Sequence, residues 1–410
     1  MSATLPVLPL DSRVYDRALS CVHCGLCLAA CPTYIQTAHE ADSPRGRIQL
    51  IRGLADGIVS PTPSVRNHLD TCLDCRACES ACPSNVVYHE LIEAYRIGID
   101  QKFPPSQLQR LYRWLCFHIL VHPTRLKLAL LPVRLLQRID LFKSIPPGPL
   151  WPRQFTPQST GAGKATVALF PGCVGSVMFD SVNRKAAALL NAAGANVISP
   201  PSQTCCGAIH YHGGAVEPAE QRARQNINAI PLDKVDFIVS TAAGCGAMLK
   251  EYDLLLRDDP NYAQRAVAFA SKVRDITQVL DELGLPPMTH SVPITATYHD
   301  ACHLAHAQKV KLAPRKLLAQ IPGLKLIPLP ESDTCCGAAG TYFLTQPEMA
   351  QKLAQRKLAN IAATGAGTCI AANAGCALHL QRQAAAHGKT IKVVHPVDLL
   401  YAGMFGEKCP

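Results

Sequence analysis

Twelve residues, CVHCGLCLAACP from Cys21 to Pro32, hold four cysteines spaced two, two and three residues apart. The arrangement returns as CLDCRACESACP from Cys72 to Pro83. The opening MSATLPVLPLDSR lacks the cationic start and apolar stretch of a secretory signal, so a reducing compartment is expected. There, clustered thiols serve as metal ligands more often than as disulfides. Zinc sites usually draw four ligands from two separated pairs. Here three thiols crowd one turn of chain, and a fourth follows at once before a proline. That C-x2-C-x2-C-x3-C-P order suits cubane [4Fe–4S] clusters, in which the fourth cysteine is carried to the neighbouring cluster. The spacing predicts two such clusters, one held by Cys21, Cys24, Cys27 and Cys82 and the other by Cys31, Cys72, Cys75 and Cys78. Exchange of fourth ligands would set them side by side as a short electron path. Two unrelated zinc knuckles are the plainer alternative, and the doubled run speaks against them.

A second set of thiols lies further on. Cys173, the pair Cys205–Cys206 and Cys245 repeat as Cys302, Cys335–Cys336 and Cys376, at a nearly constant offset of about 130 residues. The flanks repeat too: ATVALFPGC matches ITATYHDAC, and DFIVSTAAGC matches GTCIAANAGC. Each match is an apolar strand running into a cysteine. Helical patterns closed by glycine, NRKAAALLNAAG and PRKLLAQIPG, lie between the strands. Such alternation predicts a parallel sheet with right-handed crossovers and sites at strand ends. Each repeat thus offers a four-thiol cage, a third possible metal site at Cys173, Cys205, Cys206 and Cys245 and a fourth at Cys302, Cys335, Cys336 and Cys376. An unusual iron–sulfur cluster, an ordinary cubane, zinc and a redox-active dithiol all remain open for these cages. His299, His303 and His306 surround Cys302 and could carry protons, although core or solvent-facing histidines are the more ordinary reading. Cys116 and Cys369 read as core residues, and Cys409 as part of a fraying terminus.

The fold class expected is α+β and multidomain: an N-terminal α-helical ferredoxin domain followed by two repeated α/β, parallel-sheet CCG domains. The boundaries read as 1–100 for the two cluster runs, 101–163 for a basic amphipathic linker, 164–290 for the first CCG domain and 291–410 for the second. In the first part, Ser43 and Pro44 predict a helix start, with Ile48, Leu50, Ile51 and Leu54 on one face. Arg45 and Arg47 could position an electron partner or tune a cluster, or could simply begin a basic helix. The linker mixes Leu, Trp and Phe with Arg and Lys, a composition that suits a membrane surface or a pair of packed helices. Pro123 and Pro132 are expected to break it into short pieces.

Composition sets the remaining bounds. The 410 residues are 48% apolar and include 19 cysteines, and the net charge is +10, which suits an acidic partner or an anionic surface. No apolar run reaches the roughly 18 residues of a spanning helix. TGAGKAT only approximates a P-loop, because Gln158 stands where its first glycine belongs and Ala165 follows the lysine. No dinucleotide fingerprint follows a strand, so no flavin or nicotinamide site is expected in this chain. The basic residues lie among aliphatics without aromatic interleaving, which argues against nucleic acid.

Two ferredoxin runs, a basic linker and tandem CCG repeats together resemble the iron–sulfur subunit family of bacterial glycolate oxidase. The likeness extends to SPRGRIQLI, HLDTCLDCRACESACPSNVVYHELIE and CCGAAGTYFLTQPEMAQKL. The cysteine runs alone are shared with lactate-utilisation and anaerobic glycerol-3-phosphate dehydrogenase subunits. The family often carries a further cysteine three residues before the last one of each CCG repeat. Here Ala242 and Asn373 occupy those positions. The resemblance implies an electron-transfer subunit of a glycolate dehydrogenase complex, not catalytic alone. Its partner would be an FAD-containing subunit oxidising glycolate to glyoxylate, and its electrons would pass towards quinone at the cytoplasmic face of the inner membrane. The same role for D-lactate or glycerol-3-phosphate is the nearest rival. A catalytic role like that of heterodisulfide reductase is another, against which the missing cysteines count. Zinc-stabilised CCG domains acting as an assembly scaffold are a third.

Overall fold

A computed structural model describes residues 10–103, 106–138 and 163–407, together with Leu8, Pro149 and Leu150. Cys409 and the first three residues of TGAGKAT lie outside them. Residues 10–103 contain helices and loops and no strand among the described residues. The helix Pro44–Ala55 begins as its sequence requires: the Ser43 hydroxyl accepts a hydrogen bond from Gly46 N–H, and Pro44 fills the first turn. Ile48, Ile51 and Leu54 are buried against Leu69, Leu91, Ile92 and Tyr95 in one apolar core, with Leu50 at its edge. The first cysteine run ends the same way, since Cys31 is the N-cap and Pro32 the first residue of the helix Pro32–Thr37. Pro83, its counterpart, starts no helix.

The basic segment folds as the helices Gln107–Leu115 and Pro123–Arg138, joined by a π-helical turn over Cys116–Leu120. Pro123 opens the second helix, as expected of a breaker. Pro132 does not break it and sits inside the sixteen-residue element. Leu126 and Leu130, four residues apart, pack on Val177 of the next unit, and this contact holds the helix across the missing N–H. Cys116 is buried.

Two four-stranded parallel sheets follow. The first comprises β1 (Ala165–Phe170), β2 (Ala195–Ile198), β3 (Phe237–Ser240) and β4 (Val273–Asp275) in the order β2-β1-β3-β4. The second comprises β5 (Thr295–His299), β6 (Lys325–Ile327), β7 (Thr368–Ala371) and β8 (Lys392–Val394) in the order β6-β5-β7-β8. The central strands are apolar nearly throughout because helices cover both faces. Cys369 sits fully buried within β7. The sheets share one core. The helix Asp180–Ala192 of the first repeat packs on Pro396–Phe405 of the second, and Ile276–Leu283 of the first packs on Leu312–Leu318 of the second. Each pair joins elements that occupy swapped positions in the two repeats, so the interface has pseudo-two-fold symmetry. Along that axis the loops after β3 and β7 meet, with Ala243 N–H donating to Ala372 O at 3.2 Å.

Candidate functional site

In each sheet the strand order changes direction between its two central strands, β1 and β3 or β5 and β7. Sites form at such switch points, beyond the carboxyl ends of the strands. Cys173 follows β1 and Cys245 follows β3; Cys302 and Cys376 stand in the corresponding places of the second sheet. A loop then brings in the adjacent pair. Gly207 and Gly337, with φ of +93° and +89°, close that loop in both repeats. At Gly337 a Cβ would come within 2.6 Å of Ala350 O, so only glycine fits. Cys173 and Cys205 lie 3.6 Å apart, and Cys302 and Cys335 lie 3.9 Å apart. Cys206 and Cys245 pack in one cluster, and the ligand atoms of Cys336 and Cys376 lie within 4.8 Å of each other. Both predicted four-thiol sets therefore converge. Hydrogen bonding from neighbouring thiols pushes Cys205, Cys302 and Cys336 well below the ordinary thiol value and their partners Cys173, Cys206, Cys335 and Cys376 well above it. A group of thiols that already shares protons unequally is one a metal ion can deprotonate.

The ferredoxin cysteines fall into two environments. Cys31, Cys72, Cys75 and Cys78 are buried and line one cavity together with Arg47, Arg76 and Tyr88. Tyr88 Oη and Asp74 N–H donate to Cys72 Sγ at 3.5 and 3.4 Å. Arg47, 1% exposed, donates to Cys31 Sγ at 3.9 Å, to Thr33 Oγ1 at 3.0 Å and to His68 O at 2.7 Å. Burial opposes the Arg47 charge, but Cys72, Tyr88, Cys31 and Asp42 hold it above its ordinary pKa. Burial pushes the Cys75 and Cys78 thiols well up, reinforced by the other thiols around them. A thiol-lined cavity bearing a fixed cation and hydrogen-bond donors fits an anionic iron–sulfur cluster. Cys21, Cys27 and Cys82 are half-buried and Cys24 is exposed, so the other set reaches the surface. Val86 N–H donates to Cys82 Sγ at 3.5 Å. Arg45 also faces outward, bound to Glu40 at 2.6 Å and to His23 O at 3.1 Å.

The buried ferredoxin set touches the second CCG set. Leu73, Cys75 and Ala77 share one apolar cluster with Cys302, Cys335, Tyr342 and Leu353. After burial, Cys302 is the largest influence on the Cys75 thiol. Tyr342 Oη donates to Thr71 O at 2.8 Å across this contact. His306 bridges it, with Nδ1 2.9 Å from Ser80 Oγ and Nε2 3.0 Å from Asp333 O. His303 lies beside Cys302, with its Nδ1 3.5 Å from the sulfur, and His299 is fully buried at the end of β5.

Sequence reasoning missed an ion cluster behind this contact. Asp74 and Glu93 face His212 at 3.3 and 3.2 Å, Arg76 and Arg96 flank them, and Arg76 pairs bidentately with Glu251. It ties the second cysteine run to the first CCG repeat. Burial works against charging His212, but the carboxylates of Asp74 and Glu93 beside it overcome that and raise its pKa to about 9. The one signal available beforehand was the placing of Asp74 and Arg76 between cysteines; the structure puts both in left-handed backbone.

Comparison with known proteins fits this geometry. A 4Fe-4S dicluster domain model matches residues 17–86, and a cysteine-rich CCG domain model matches residues 167–250 and 296–381. The class is therefore that of dicluster ferredoxin proteins carrying tandem cysteine-rich repeats. The chain is 38% identical to the probable glycolate oxidase iron-sulfur subunit of Bacillus subtilis and 34% identical to the glycolate oxidase iron-sulfur subunit of Escherichia coli, each match covering 93% of both chains. It belongs to the family of glycolate oxidase iron–sulfur subunits. Lactate utilization protein A of Oceanobacillus iheyensis is 32% identical, over 57% of this chain and 96% of that protein. A crystal structure of a hypothetical protein from Helicobacter pylori shares the fold, with a TM-score of 0.54 and 11% identity over 89% of this chain and 73% of the other.

Proposed function

We propose that this chain is the electron-transferring subunit of a glycolate dehydrogenase complex, accepting electrons from a flavin-bearing partner and passing them towards quinone. The observation that carries this reading is the nested order of the thiol sets, from Cys24 at the surface, through the buried Cys31, Cys72, Cys75 and Cys78, to Cys302 beside Cys75. Cys21, Cys24, Cys27 and Cys82 would hold one [4Fe–4S] cluster and the buried four another; the CCG thiols would hold iron–sulfur or zinc centres. When bound, such clusters supply one-electron acceptance and release. The protein's own part is to fix the ligands, neutralise charge through Arg47 and keep water from the inner site.

Access favours the outer set as the partner's port. Leu19, Val22 and Leu26 surround it with exposed apolar side chains, Val22 being 67% exposed. A second exposed apolar face, formed by Leu108, Leu111 and Trp114 with Arg110 on the helix Gln107–Leu115, suits an anionic membrane surface. No helix among the described residues is long and apolar enough to cross a membrane. Glycolate is favoured over lactate as the complex's substrate because the glycolate oxidase relatives match along 93% of the chain and the lactate-utilization relatives along little more than half.

Anaerobic purification with native partners tests the proposal. Glycolate is expected to reduce the clusters only when a flavoprotein co-purifies. Glycolate turnover by the isolated chain would contradict it.

A further inference from the structure

The two CCG thiol sets differ in the side chain that ends the strand before their first cysteine. His299 ends β5 and is wholly buried. Its Nδ1 lies 3.1 Å from the Ser332 carbonyl oxygen. A carbonyl only accepts, so Nδ1 carries the proton, and in the neutral ring Nε2 presents a bare lone pair. That buried Nε2 has no hydrogen-bond partner. It stands with the sulfurs of Cys336 and Cys376 in a group whose ligand atoms all lie within 4.8 Å of one another. An imidazole fixed by an Nδ1–H bond to a backbone carbonyl, with Nε2 facing thiols, has the arrangement of a metal ligand held by its outer contacts. In the first repeat the residue matching His299 is Phe170, which offers no donor.

We propose that His299 Nε2 ligates the metal centre of the second repeat with Cys336, Cys376 and one thiolate of the Cys302–Cys335 pair, taking the place that the fourth thiolate fills in the first repeat. The second centre is then a mixed nitrogen–sulfur site for a borderline ion, zinc or iron, while the first is bound by sulfur alone. A neutral imidazole in place of a thiolate leaves less negative charge on the centre. Were the ion iron, this would raise the potential of the centre next to Cys75, as histidine does elsewhere in iron–sulfur proteins. The inference rests on the thiol sets being metal sites.

Its test uses the full-length chain prepared without oxygen. Zinc-edge X-ray absorption reads an imidazole shell if the ion is zinc. Pulsed paramagnetic resonance on natural and 15N-histidine protein reads a nitrogen coupling if it is iron. An imidazole signal is expected in one arm. It should vanish in His299→Phe, which copies the residue of the first repeat, with metal lost to a chelator at least about tenfold more readily. His299→Cys should retain the metal through sulfur. If His299→Phe fails to fold, the wild-type nitrogen measurement still decides. Metal bound at the second repeat without an imidazole signal overturns the ligation and leaves the thiol site standing. A metal count unchanged by Cys302→Ser combined with Cys376→Ser overturns both.

Discussion

Arg47 and the half-buried His212 show how single charges serve this chain. Arg47 sits on the inner thiol set with almost no contact with water, so its charge is felt there with little screening. Arg47→Gln is expected to lower the potential of the inner cluster by about 59 mV, one tenfold step for a single electron, as read by redox titration of its resonance signal. The outer cluster should hardly move. His212 is charged among Asp74, Glu93, Glu251, Arg76 and Arg96. Its folded pKa lies above its unfolded one. The stability it adds is therefore complete below about pH 6.5 and fades as pH rises through about 9. Wild type should exceed His212→Gln in anaerobic unfolding at pH 6 by roughly 3 kcal/mol, and the gap should close by pH 10. The sequence marked every cysteine of the four sets, the ferredoxin ones by their local spacing and the CCG ones by the repeat. His212 and Glu251 were hidden because they join Asp74 and Arg76 only through the fold.

Among the elements, the helix Pro44–Ala55 was readable because its start is written in adjacent residues. Ser43→Ala removes the cap and should cost about 1 kcal/mol in chemical unfolding. The strands and their parallel pairing followed from the repeat, since alternation of strand and helix calls for crossovers between parallel strands. Two features did not follow. Pro132 lies inside a helix because Leu126 and Leu130 bind it to a neighbour, a tertiary effect that local propensity cannot register. The shared core of the two sheets depends on which helix faces turn inward together, and each helix taken alone shows only that it has an apolar side. Where the ferredoxin part meets the second repeat, Tyr342→Phe would leave Thr71 O without its partner in a buried place. A loss of about 1–3 kcal/mol is expected, detectable by thermal unfolding with the clusters intact.

For the molecule as a whole, position in the nested series sets the consequence of losing a ligand. Cys24→Ser opens the surface set, so reduction by the partner should fall steeply while the resonance of the inner cluster persists under chemical reduction. Cys75→Ser removes a ligand from the core that joins the ferredoxin part to the second repeat, and should cost both the inner cluster and stability at that contact. These expectations stand on one claim, that eight thiols in the first hundred residues hold two iron–sulfur cubes. The direct measurement is iron and acid-labile sulfide per chain, with low-temperature paramagnetic resonance, on protein purified without oxygen. The account predicts at least about eight irons per chain and the signal of two interacting reduced clusters. Colourless, iron-free protein from that preparation would contradict it.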